Sequence, residues 1–282
     1  RGFTPTGNAI AMIRLIFALC LMTFSAHAED PILYLHGQPR QGELLFAFAT
    51  PKADVFLNGA EIKPRKDGWF VVGIGRNDTG DLTFTVKRHG KKLEKTFKIQ
   101  PREWKIQRID GLPENKVSPS PEESARIEKE FAATADARDK KVKMPLSLCF
   151  QMPAEGRISS VYGSQRILNG EEKTPHNALD IAAVTGTPVF ASADAKVTLA
   201  YDEMFLTGKT VLLAHGQDLT SSYSHLSKLD VKTGDKVKKG QKIGEVGMTG
   251  RATGPHLHWV VMWRDKRVDP AVFIENSKAF CE

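Results

Sequence analysis

The sequence predicts a mostly β protein built in two parts and joined by a helical linker. Three observations carry this. Residues 31–106 consist of short runs rich in Val, Phe, Thr and Leu, punctuated by turn pairs. Residues 107–144 change to Pro and Ser, then to a charged, helix-forming composition. Residues 145–282 return to strand-like runs broken by glycines, with no long helical period. A chain of 282 residues suits two domains better than one, and 41% hydrophobic with 26% charged residues is ordinary for a folded protein.

The first 28 residues read as a leader outside the fold. After Met12 come Arg14, the apolar run Leu15 to Phe24, and Ala26-His27-Ala28, the layout of a cleaved export signal with the cut after Ala28. The run is too short to cross a bilayer, so no stable membrane span is expected in the mature chain. Cys20 lies in the run, but Leu19 before it does not suit lipoprotein processing. The expected location is therefore periplasmic or secreted.

Residues 29–108 form the first β part. Leu82, Phe84 and Val86 alternate with Thr83, Thr85 and Lys87, the period of a half-buried strand. Asn58-Gly59, Asp67-Gly68 and His89-Gly90 mark turns. Regular short strands favour a small sandwich. His36 and His89 stand alone and carry no chemistry, so a binding or spacer module is expected.

Residues 109–144 form the linker. Ser120-Pro121-Glu122-Glu123 is a helix start with proline at the first helical position. Ile127 and Phe131, four apart, are the expected packing face.

Residues 145–282 form the second β part. Its two cysteines, Cys149 and Cys281, sit at its two ends, and an exported chain meets an oxidising compartment. A disulfide between them is expected, and their spacing is not a zinc motif. Without residues 1–28, which hold Arg1 and Arg14 and no acid, the net charge falls from +7 to +5. That suits either an anionic envelope or plain solubility. A secreted chain with no dense Lys/Arg patch is not expected to bind nucleic acid.

Five of the eight histidines fall here: His176, His215, His225, His256 and His258. His176 and Asp180 are four apart, an even offset that points both one way along an extended segment. His256 and His258 in "TGPHLHW" are two apart and share a strand face. Two histidines and one carboxylate, with an open water position, are a standard catalytic zinc set. Each piece alone is weak, because lone H-x-H and H-x-x-x-D patterns are mostly structural. Three buried polar groups without a function would each need a partner. His215 alternates with Val211 and Leu213 and reads as packed, and Asp269 reads as a cap.

Over most of residues 157–275 the chain resembles the lysostaphin/LytM-type zinc metallopeptidases that cut peptidoglycan. The resemblance runs in order through "RISSVYGSQRILNGEEKTPHNALDIAAVTGTPVFASADAKV", "VLLAHGQDLTSSYSHL", "GDKVKKGQKIGEVGMTGRATGPHLHW" and "RVDPAVF". It implies a C-terminal antiparallel β-sheet metallopeptidase domain with an open groove. It implies one Zn2+ held by His176, Asp180 and His258, with His225 and His256 unliganded and catalytic. No H-E-x-x-H glutamate exists, so one of these two takes the proton from water and the other faces the oxyanion. Ala178 stands where the family commonly has glycine, and Ala195-Lys196 departs similarly, but neither is a ligand position. Residues 29–108 resemble the immunoglobulin-like β-sandwich that precedes such domains in Gram-negative proteins, and "REWKIQRIDGLPENKVSP" resembles their connector.

The expected partners are peptidoglycan stem peptides, cut by analogy at D-Ala–diaminopimelate cross-links. A non-catalytic activator of other wall hydrolases is the alternative class, weakened because every ligand and both catalytic histidines are present. "GDKVKKGQKIGEVG" resembles biotinyl/lipoyl hairpins but offers no modifiable lysine at the tip.

Overall fold

The structure, a computed structural model, describes residues 30–109 and 120–281. The expected export leader and residues 110–119 of the linker lie outside these.

The first part is the expected sandwich. Strands β1 (Leu33–His36), β2 (Leu44–Ala49), β3 (Asp54–Leu57), β4 (Ala60–Ile62), β5 (Trp69–Gly73), β6 (Asp81–Arg88) and β7 (Lys91–Lys98) form two sheets. One sheet has the order β1-β2-β5 and the other β4-β3-β6-β7. The alternation in β6 buries Leu82, Phe84 and Val86 against the facing sheet, where Leu45, Phe70 and Val72 are fully buried. Asn58 and Gly59, at φ 48° and 82°, and His89 and Gly90, at 48° and 77°, make the two-residue left-handed turns that match strand twist. Edge strand β7 is guarded by Lys91, Lys92, Lys95 and Lys98.

Strand β8 (Ile106–Ile109) leaves the sandwich and pairs in parallel with a strand of the second part. Helix α1 (Pro121–Asp139) follows, capped as the sequence implies: Ser120 Oγ accepts from the Glu123 amide, and Glu123 accepts from the Ser120 amide. Its packing face differs from expectation. Glu130 and Ala137 are buried, whereas Phe131 is 53% exposed. The reason is polar. Glu130 takes the Phe205 backbone N–H at 2.8 Å and the Arg126 guanidinium at 2.8 Å, which fixes the helix rotation.

The second part contains β9 (Arg157–Ser160), β10 (Ser164–Leu168), β11 (Glu171–His176), β12 (Leu179–Ala182), β13 (Pro188–Phe190), β14 (Ala195–Met204), β15 (Gly208–Gly216), β16 (Leu219–Leu229), β17 (Lys236–Val237), β18 (Lys242–Val246), β19 (His256–Trp263) and β20 (Lys266–Val268). The main sheet runs β17-β14-β15-β16-β19-β12-β9, all antiparallel. β10 and β11 form a separate hairpin, extended by β8. Helix α2 (Pro270–Ser277) follows, with Asp269 as its cap, as read from sequence, and a 3-10 turn (Lys278–Phe280) leads to Cys281. Cys149 and Cys281 are bonded, closing a separation of 132 residues.

The two parts meet through side chains. Phe46 stacks on Phe273 with ring centroids 6.1 Å apart. Buried Glu43 holds Arg40 at 2.8 Å and Asn276 at 3.0 Å. His36 Nε2 lies 3.0 Å from the Asn276 carbonyl. His215 is packed, as expected. It lies between the Asp194 carbonyl and Ser221 Oγ, in a buried chain that continues through Tyr223 to Ser192.

Candidate metal centre

Two adjacent strands bring the distant motifs together. β12 and β19 pair so that Asp180 lies directly opposite His258. β16 flanks β19 on the other side, with Ser224 opposite His258, which delivers His225 to the same place. All five histidine and carboxylate residues expected at the site therefore converge. His176, Asp180 and His258 offer ligand atoms within 4.8 Å of one another, and so do His225, His256 and His258.

The orientation of His176 is set by its Nδ1, which lies 3.1 Å from the Val161 carbonyl and 2.9 Å from Ser160 Oγ. A carbonyl only accepts, so Nδ1 carries the proton and Nε2 presents its lone pair. That Nε2 is buried with no hydrogen-bond partner, yet stands 3.1 Å from Asp180 Oδ2. A lone pair facing a carboxylate oxygen is unfavourable unless a cation lies between them. The other carboxylate oxygen, Oδ1, lies 2.8 Å from His258 Nδ1. Burial would raise the Asp180 carboxyl, but the bond that Oδ1 accepts from His258 opposes it and favours the charged form. A charged carboxylate and a buried imidazole lone pair fit a divalent metal, and two His with one Asp fit zinc.

His225 and His256 are arranged differently. His225 Nδ1 lies 2.8 Å from the Thr249 carbonyl, and His256 Nδ1 lies 2.8 Å from that of Gly254. Both Nδ1 atoms are therefore donors, and each neutral ring presents Nε2 as an acceptor. Burial pushes the His225 imidazole down to about 4, against the opposing bond to Thr249. His225 also adopts φ 63°, a left-handed conformation rare for a non-glycine residue, where the register of β16 against β15 shifts between Tyr223 and Leu226. Their rings lie 4.7 Å apart, centroid to centroid.

Sequence reading missed the groups that orient these rings. Ser160, the Val161 carbonyl and the Thr249 carbonyl lie 15 to 24 residues from the histidines they hold, and no local pattern marks them.

Fold and site together define a β-sheet metallopeptidase architecture. Residues 174–270 match Peptidase family M23. A crystal structure of a peptidase M23 protein from Pseudomonas aeruginosa is 34% identical, with a TM-score of 0.65, covering 84% of this chain and 96% of that one. The chain belongs to Peptidase family M23. Among curated relatives, peptidoglycan DD-endopeptidase ShyA of Vibrio cholerae is 39% identical over 121 residues, covering 43% of this chain and 28% of ShyA. Peptidoglycan DD-endopeptidase ShyB of the same organism is 42% identical over 95 residues, covering 34% and 22% respectively. The chain thus spans about a quarter of the length of these two relatives.

Proposed function

We propose that the protein is an exported zinc metallo-endopeptidase that hydrolyses the peptide cross-links of peptidoglycan, at D-Ala–diaminopimelate bonds. The observation that carries this is the buried His176–Asp180–His258 cluster, whose orphaned Nε2 faces a carboxylate beside two further histidines. Bound there, zinc supplies Lewis-acid polarisation of the scissile carbonyl and acidification of water.

The chain's own residues do the rest. His225 and His256 each present an Nε2 lone pair toward the same space, so either takes a proton from the attacking water. The ring that has taken it then becomes a donor at Nε2, able to face the oxyanion or protonate the leaving amine. Their Nδ1 anchors on Thr249 and Gly254 hold both rings in the required tautomer. The N-terminal sandwich is read as an immunoglobulin-like module, supported by its seven strands split three and four. The DD-endopeptidase names of ShyA and ShyB support the cross-link as substrate.

The test is digestion of purified sacculi by the zinc-loaded protein, with mass identification of the products. Release of uncrosslinked stem peptides is expected, and His258→Ala should abolish it. Intact sacculi after incubation with zinc-loaded wild type would reject this reading.

A further inference from the structure

We propose that Thr249 is a positioning residue for His225, its hydroxyl holding open a bulge in β16 that aims the imidazole at the metal cluster. This rests on the peptidase reading above and deepens it.

The register of β15 against β16 shows the bulge. Val211 pairs with Tyr223 and Lys209 with Leu226, so Thr210 alone stands against both Ser224 and His225. One extra residue bends a strand and redirects its side chains, a device common beside active sites. His225 carries the strain, at φ 63°. Its amide donates outside the strand pair, to the Thr207 carbonyl in the turn before β15, at 2.8 Å.

Thr249 lies across this defect. Its Oγ1 accepts from the Lys209 amide at 2.9 Å and donates to the Leu226 carbonyl at 2.8 Å. Lys209 and Leu226 are register partners, so the hydroxyl bridges the two strands at the residue that follows His225. The carbonyl of the same Thr249 receives His225 Nδ1 at 2.8 Å. One residue thus fixes both the backbone beside the histidine and the ring itself. Gly208, at φ 60°, lets the turn approach this closely: a Cβ there would collide with Thr249 Oγ1 and with the Thr249 backbone. Valine has nearly the shape of threonine but no hydroxyl. It would leave the Lys209 amide and the Leu226 carbonyl unpaired, at a cost, or free to close on each other and draw the bulge out. In both cases the His225 ring loses the fixed carbonyl that sets its tautomer. A hydroxyl that merely pinned a loop would affect stability and leave that tautomer alone.

The experiment compares the full zinc-loaded chain as wild type, Thr249→Val and Thr249→Ser. Cleavage of a soluble cross-linked muropeptide gives kcat and KM, and long-range proton–nitrogen NMR of the imidazoles gives the His225 tautomer. Wild type should carry the His225 proton at Nδ1. Thr249→Val should lower kcat by roughly tenfold or more, the scale on which small misplacements of a reacting group act, with KM and zinc content retained. Its His225 should become a mixture of tautomers. Thr249→Ser, which keeps the hydroxyl, should retain the Nδ1–H tautomer and most of kcat. Wild-type kcat or an undisturbed tautomer in Thr249→Val overturns the proposal, and so does an equal loss in Thr249→Val and Thr249→Ser. Should Thr249→Val fail to fold, Thr249→Ala decides by the same two measurements. Absence of cleavage by zinc-loaded wild type overturns the peptidase reading, and the tautomer comparison then still decides whether the Thr249 hydroxyl holds His225.

Discussion

His176 Nε2 and Asp180 Oδ2 stand 3.1 Å apart with no hydrogen bond between them. The Val161 carbonyl fixes the proton on the far side of the ring, so the near side offers only a lone pair to a charged oxygen. A cation between the two atoms turns this repulsion into ligation. Metal analysis of the purified protein should find about one zinc per chain, by the ligand count. Asp180→Asn, which keeps the shape and removes the charge, should weaken zinc binding at least tenfold. Because zinc binds the folded state, chelation should lower Tm, by the equivalent of about 2.7 kcal/mol if zinc stood at a hundred times its Kd. A metal-free protein that gains neither stability nor activity from added zinc would refute the site.

His258 belongs to two clusters, and the second contains His225 and His256. The division proposed here gives metal to His176, Asp180 and His258 alone. Substituting His256 or His225 by Ala should then leave zinc content near one while lowering kcat by about 10²–10⁴, the usual range for a lost general acid or base. His258→Ala should lose the metal itself. Equal zinc loss in all three variants would assign the metal to the three-histidine set instead.

The parts legible in the sequence were those whose signal is local. The alternation of Leu82, Phe84 and Val86 and the turn at Asn58-Gly59 need only neighbouring residues, and they predict strand and turn correctly. The capping box at Ser120 is likewise local. The ligand pairs were legible because two residues apart on a strand share a face whatever lies around them. The rotation of α1 was not, because it follows from Glu130 meeting the Phe205 amide 75 residues away, which made an acid buried and Phe131 exposed.

His215 should make the fold sensitive to acid. Burial pushes its imidazole down to about 4, from an ordinary value of 6.5. The unfolded chain therefore binds a proton that the folded one refuses. The stability that the neutral ring contributes is fully present above pH 6.5, is lost as pH falls from 6.5 to about 4, and changes no further below that. The loss is on the order of 3 kcal/mol. Urea unfolding at pH 7 and pH 4.5 should show it, and His215→Gln, which cannot titrate, should flatten the slope across this window. An unchanged slope in that variant would place the acid sensitivity elsewhere.

The Cys149–Cys281 bond ties the segment entering the second part to the chain's end, closing a separation of 132 residues. Holding so long a loop closed restricts the unfolded chain, an effect typically worth about 2–4 kcal/mol. Reduction, or Cys149→Ser with Cys281→Ser, should lower Tm while leaving zinc content and cleavage rate below the melting range unchanged. The paired ends lie away from the metal cluster, beside Lys239 rather than any of the five site residues. Loss of zinc on reduction at a temperature where the protein remains folded would contradict this separation.

Gly163 couples the connector after the sandwich to the metal cluster, and its replacement should reach both. It adopts φ 84°, and a Cβ there would collide with the Trp104 indole. Trp104 has little room to retreat, because the Arg76 and Arg102 guanidinia lie 5.1 and 4.7 Å from its ring. Arg76 also donates to the Gly163 carbonyl at 2.8 Å, and the Gly163 amide donates to the His176 carbonyl at 2.7 Å. Gly163→Ala should therefore destabilise by more than about 1 kcal/mol, the strain of a left-handed alanine plus the clash. By shifting the backbone of His176 it should also weaken zinc binding. Trp104→Ala removes the clash but not the backbone strain, so the double variant should be less unstable than the sum of the two singles. Urea denaturation of the four proteins tests this. Strict additivity would mean that the indole yields freely, and that the connector does not press on the strand pair that carries His176.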